Sequence, residues 1–295
     1  MRVLIVFIIT AVYAVCFTAI KEGLAFAPPL LFGGLRAFIG GVSLLLLVLV
    51  FRRPFFPERR HWTWTVVLGF ITTTFGFGAM FLSPEMTGAG IASVLGNTQP
   101  LVVIILAAIF LKEKITRGKT IALTFGLIGI TFISYPALTG GGVFGFSGGM
   151  LALAASGGAS IGSLIIKRLN AGQSLMTVTA WQLIIGSIPL FLISAAMERQ
   201  TKVIWNTEFV GLLLFLSLVG TSFTNYFWYW LVEREDVGRL SLFLFLVPIF
   251  GLGMAALVLG EKVTLLEIIG VIFTVAGIGA VISESWRIRI SRFLL

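Results

Sequence analysis

The chain has 295 residues, of which 58% are hydrophobic and 11% charged, with a formal net charge of +9. Soluble domains carry about 25% charged residues, so this surface cannot mostly face water, and lipid is the solvent that fits. A lone Cys16 and a lone His61 leave no basis for an internal disulfide, a His-built metal site or a Ser-His-Asp triad, and no cofactor is called for.

A helix needs about 20 apolar residues to cross the hydrocarbon core. Ten segments qualify, at 3–20, 29–51, 62–82, 88–111, 119–136, 148–166, 176–197, 209–231, 239–259 and 265–283. The expected fold is therefore all-α and membrane-embedded, since open strands leave backbone groups unsatisfied in lipid. Met1-Arg2 and the apolar run to Ile20 have the outline of a signal peptide. They lack a convincing small-residue cleavage site and are read as a retained first helix.

Polar residues inside these runs are the candidate ligands. The first span carries Tyr13 as a possible cavity residue. The second carries Arg36, the one charge well inside a span. Such a charge suggests function, here a substrate carboxylate or phosphate, or else a structural partner near the helix end, where a long side chain snorkels. The fourth holds Asn97-Thr98-Gln99-Pro100 at mid-depth. Pro100 frees the carbonyl of Gly96, so Asn97 and Gln99 read either as substrate contacts or as polar groups satisfying a kink. In the sixth, Gly158 and Gly162 suit close helix packing. The seventh offers Trp181 and Gln182, a weaker pair. In the eighth, Ser222, Asn225, Tyr226 and Tyr229 fall on one face at helical spacing, while Trp228 and Trp230 read as interfacial belt. The ninth carries Pro248, which pairs with Pro100 as a helix break.

Sixteen Lys and Arg lie on the N-terminal side of the membrane and four on the other, which places both termini in the cytoplasm. The same distribution, between apolar runs, argues against nucleic acid as a partner. Arg117-Gly118-Lys119-Thr120 holds a G-K-T but lacks the earlier Gly of a phosphate loop, because Glu113 stands there. Glu85 and Glu233 occupy equivalent short turns, where they read as caps of the following helices or else as gate residues, and Glu267 opens the last span, where the helix dipole favours a negative charge.

The two halves repeat. A shift of 148 maps Leu111-Lys112-Glu113-Lys114-Ile115-Thr116 onto Leu259-Gly260-Glu261-Lys262-Val263-Thr264, Pro100 onto Pro248, Glu85 onto Glu233 and Gly129 onto Gly277. Nearer the start of each half a shift of 146 maps Lys21 onto Lys167, and Arg36 onto Gln182. Five helices per copy is odd, so the second copy (141–295) enters the membrane inverted relative to the first (1–140). Inverted copies that exchange conformations give alternating access.

Two five-helix repeats, each with a Pro-centred helix, an L-x-E-K-x-T-like turn and a Gly-containing last helix, resemble the drug/metabolite transporter superfamily of the EamA type, as does the Pro29 to Arg36-Ala37-Phe38 stretch. The resemblance implies a ten-helix secondary transporter of the cytoplasmic membrane, more often an exporter, for small metabolites. Its partners would be a small-molecule substrate and the lipid bilayer, in a monomer or homodimer. One departure is that the first span lacks the membrane-embedded Glu of the related four-helix exporters. A channel would need a continuous polar path or charged ring, and an enzyme a nucleophile with its base or paired acids. The spans offer neither set.

Overall fold

In the computed structural model, residues 2–87, 95, 97–135, 146–198, 202–258 and 263–293 are described, and no strand occurs among them. Ten helical stretches follow in order. They are α1 (Arg2–Gly23), α2 (Pro29–Val50), α3 (59–87), α4 (Gln99–Phe110), α5 (Arg117–Ile133), α6 (Phe146–Leu169), α7 (Leu175–Met197), α8 (Thr207–Arg234), α9 (237–258) and α10 (Leu265–Phe293). Eight are long and apolar enough to cross a membrane. The α4 helix is 12 residues long, roughly 18 Å at 1.5 Å per residue. Gly96, the Glu85 side chain, the Glu261–Lys262 turn and the 140/141 boundary lie outside the described residues.

Three helices are interrupted. In α3 a π-helical stretch, Gly69–Phe77, separates Arg59–Leu68 from Gly78–Thr87, and in α8 another, Leu218–Phe223, precedes Thr224–Arg234. Such wide turns gather at functional sites. Pro100 lies at the start of α4, after a turn at Asn97-Thr98. In α9 a 3-10 turn, Phe243–Phe245, separates Val237–Leu242 from Leu246–Val258, whose first turn holds Pro248. A proline without an N–H is tolerated where a helical segment begins.

Glycines set the crossings. A Cβ on Gly186 of α7 would lie 2.3 Å from the Gly69 carbonyl of α3, and one on Gly129 of α5 would lie 2.6 Å from the Gly270 carbonyl of α10. Backbones this close need side chains of no size, the usual device where lipid supplies no hydrophobic drive. A Cβ on Gly162 would lie 2.2 Å from Thr72 Cγ2, so α6 fits closely against the π stretch of α3.

Helix starts are capped from a distance. The N–H groups of Leu30 and Leu31, opening α2, donate to Glu198 Oε1 and Oε2 at 2.9 and 3.1 Å, and Ser194 also donates to that carboxylate. Those opening α9 donate to Glu113 (Val237 2.8 Å, Gly238 3.0 Å), and Asp236 accepts from Arg239 N at 2.7 Å. Glu233 accepts from Gly172 N at 3.2 Å, ahead of α7. Thr264 and Glu267 form a reciprocal capping box on α10. Glu198→Ala strands two N–H groups and the Ser194 hydroxyl, and is expected to cost about 1–2 kcal/mol, read as a lower apparent Tm in detergent. Glu208→Ala, in the first turn of α8 and without such a partner among the described residues, should cost less than half as much.

Candidate functional site

A cavity of about 180 Å³ lies between the halves of the chain, lined from α1, α2, α3, α6, α8 and α9 and from the turn and first residue of α4. An apolar cavity of roughly 150 Å³ holds benzene, so this one has room for a small organic molecule. It gathers six of the sequence-nominated residues: Tyr13, Arg36, Asn97, Gln99, Asn225 and Tyr229.

The other three stand elsewhere. Tyr226 packs against Phe227 with ring centroids 5.2 Å apart, outside the lining. Trp181 donates Nε1 to the Phe55 carbonyl at 2.9 Å and stacks on Phe56 at 5.6 Å. Gln182, fully buried, has its Oε1 taken by the hydroxyls of Thr72 and Thr73, both at 2.9 Å. Trp228 is not in an interfacial belt: it is 4% exposed, lines the cavity and donates Nε1 to Ser163 Oγ at 3.2 Å. Trp230 does lie toward the helix end, under Arg234 at 4.5 Å.

Arg36 does not snorkel. It is 3% exposed. Its Nε donates to Thr221 Oγ1 at 2.7 Å and its Nη2 to the Gly220 carbonyl at 3.0 Å, both in the π stretch of α8. Phe77 lies 5.0 Å and Phe81 5.9 Å from the guanidinium carbon, within cation–π range. Nη1 has no hydrogen-bond partner among the described residues. The joint between α2 and α8 continues through Ser222, which donates to the Gly40 carbonyl at 2.8 Å and pairs with Ser43 at 2.6 Å. Across the molecule, Thr74 of α3 donates to the Gly186 carbonyl of α7 at 2.7 Å.

Chemically, the lining combines one cation, several hydroxyl and amide groups, and apolar walls from Phe17, Phe77, Met80 and Val247. No Asp, Glu or His is among the described lining residues.

At the end of the molecule that bears Arg2, charges form a second cluster. Lys119, 3% exposed, reaches Asp236 at 2.8 Å and Glu113 at 3.3 Å. Arg2 pairs with Glu235, and Lys167 donates to the carbonyls of Glu233 and Glu235 at 3.2 and 2.7 Å. Burial, then the shared hydrogen bond with Asp236, pushes the Glu113 carboxyl up from the ordinary range. Burial acts upward on Asp236 too, but its hydrogen bonds with Glu113 and Lys119 outweigh it and hold that carboxyl low.

Residues 1–135 and 146–283 match the EamA-like transporter family. Proteins of similar sequence include an uncharacterized transporter of Bacillus subtilis, 28% identical over 270 residues and 92% of each chain. A probable amino-acid metabolite efflux pump of Salmonella typhimurium is 28% identical over 282 residues, 92% of this chain and 91% of its own. A chain known from a crystal structure superposes with a TM-score of 0.82 over 97% of this chain and 98% of that one, at 18% identity, so the fold is shared. This is a multi-pass membrane protein that transports and is not an enzyme: the chain belongs to the EamA-like transporter family.

Proposed function

We propose that this chain is a secondary transporter that carries a small organic metabolite, amino acid-like, an amine or similar, across the cytoplasmic membrane by alternating access. It would do so with ten crossings in two inverted five-helix repeats, 1–140 and 141–295, and with both termini in the cytoplasm. Export is the direction supported by relatives named as efflux pumps.

The observation that carries this reading is the symmetry of the cavity wall. The shifts of 146 and 148 that relate the halves turn Tyr13 into Ala159, Phe17 into Ser163, Thr72 into Gly220, Phe77 into Asn225, Met80 into Trp228 and Gln99 into Val247, and all twelve line the cavity. A site on the axis relating two inverted copies is where exchange of their conformations switches access. In five of the pairs one member has a polar side chain and the other has none, so the frame repeats while the solute contacts do not.

The joints repeat as well, which supports the same reading. Arg36 to Thr221 corresponds to Gln182 to Thr73, and Ser222 to the Gly40 carbonyl corresponds to Thr74 to the Gly186 carbonyl. The π stretches of α3 and α8 occupy matching positions.

Counterflow in liposomes, with a panel of amino acids, nucleosides, amines and phosphorylated metabolites, tests the proposal. Saturable, trans-stimulated exchange is expected. Asn225→Ala and Gln99→Ala, each removing a hydrogen-bonding group from the cavity, should each reduce exchange by about tenfold, whereas Tyr226→Phe should not. Flux that rises linearly with concentration and shows no counterflow would point to a channel instead.

A further inference from the structure

Arg36 carries a charge that its structural task does not require. The matching joint in the other half is made by a neutral residue: Gln182 meets Thr72 and Thr73 where Arg36 meets Gly220 and Thr221. A glutamine therefore suffices to tie these helices together. An arginine in the same place costs far more to bury, and Arg36 is in none of the ion pairs among the described residues. Phe77 and Phe81 offset part of that cost through their ring faces. Two nitrogens are held by α8, while Nη1 of this cavity-lining side chain is buried and without a hydrogen-bond partner among the described residues.

We propose, on the transporter reading above, that Arg36 is the docking point for the carboxylate of a monoanionic solute whose apolar body lies against Phe17, Phe77, Met80 and Val247. A guanidinium hydrogen-bonding a carboxylate is among the stronger contacts available in a protein. One unpaired positive charge matches one negative charge. A phosphate monoester brings about −1.5 to −2 at neutral pH and would leave excess charge in the cavity. An amine adds a second cation where no described lining residue is acidic. The site therefore ranks a monocarboxylate above a neutral molecule of the same shape, and both above a cation.

A charge series on constant bodies tests this in the full-length protein held in nanodiscs. For alanine, leucine and phenylalanine, binding is measured for the N-acetyl acid (−1), the N-acetyl amide (neutral), the free amino acid (zwitterion) and the amino amide (+1), with 3-methylbutyl phosphate as the phosphate probe. The N-acetyl acid should bind at least about tenfold more tightly than the N-acetyl amide of the best-fitting body, and the amino amide should be weakest. Arg36→Gln, which keeps the chemistry of the Gln182 joint, should bring the two N-acetyl probes within about twofold; Arg36→Lys should keep their order. Should Arg36→Gln fail to fold, the wild-type series decides alone. Equal or tighter binding of neutral or cationic probes, tighter binding of the phosphate, or no binding on any body overturns the proposal. Saturable counterflow of an amino amide without carboxylate preference removes this proposal and leaves the carrier reading intact. Carboxylate binding without any counterflow does the reverse.

Discussion

Gly129→Val is expected to destabilise the protein by about 3 kcal/mol or more, seen as a drop in apparent Tm of roughly 6 °C or more in detergent. A Cβ at Gly129 would stand 2.1 Å from Thr274 Oγ1 and 2.6 Å from the Gly270 carbonyl. The reverse contact is as tight, with a Cβ on Gly270 falling 2.6 Å from the Gly129 carbonyl. One obstacle is backbone and cannot rotate away, so α5 and α10 must move apart. In lipid, separating two apolar helices exposes nothing to water. Their attraction is mainly close van der Waals fit, which a gap forfeits. Gly279 of the same α10 is the control: it is exposed and an added Cβ meets nothing within 4 Å. Gly279→Ala should leave stability within about 0.5 kcal/mol. Equal melting of the two variants would show that the crossing does not depend on glycine. The repeat supplies a milder companion test. Exchanging the halves turns the Gly129–Gly270 contact into Gly277–Ala122, where an added Cβ on Gly277 lies 3.1 Å from the Ala122 carbonyl. Gly277→Val should therefore destabilise less than Gly129→Val.

Much of this architecture is legible in the sequence. Long apolar runs announce helices, and prolines announce where they restart. Polar residues stand out against such runs, which is why Tyr13, Arg36, Asn97, Gln99, Asn225 and Tyr229 were recognisable and do converge on one cavity. A 3.6-residue period groups Tyr226 with Asn225 and Tyr229, but that face runs through Ser222, inside a π stretch whose turns are wider. The polarity that marks Gln182 in the sequence is consumed by two threonine hydroxyls. Closeness to a helix end points Trp228 toward the interface, although its N–H has an inward partner in Ser163. Apolar wall residues such as Phe77, Met80 and Val247 carry no chemical signal of their own. The repeat supplies one: Asn225, Trp228 and Gln99 shifted by 148 point to those three positions. Lys119 reads in the sequence as an orientation signal and as part of a G-K-T run without the earlier glycine of a phosphate loop. Its copy is Glu267, the acid of a capping box on α10, and that contrast marks position 119 as recruited to another task.

That task gives the second large effect: Lys119→Met is expected to cost about 2–3 kcal/mol. Removing one partner of a fully buried ion pair costs about 3–5 kcal/mol. Lys119 is buried, but the Glu113 and Asp236 side chains are 12% and 29% exposed, and water relieves part of the penalty. Without the lysine, the Glu113 and Asp236 carboxyls face each other at the start of α9 with no cation between them, while Glu113 still accepts from the Val237 and Gly238 N–H groups. Asp236→Asn added to Lys119→Met should recover about half of the loss, because asparagine still caps Arg239 N as aspartate does, and a double-mutant cycle reads the coupling. The two carboxyls give opposite pH trends. Glu113, held high in the folded protein, makes folding more favourable as the pH falls through its folded range. Asp236, held low, contributes stability above its unfolded value that is lost once the pH falls through its folded one. Wild-type stability should therefore rise slightly on mild acidification and then fall, and in Asp236→Asn the later fall should shrink. A Lys119→Met variant as stable as wild type at neutral pH would mean that this cluster is solvated charge rather than the tie between α5 and the start of α9.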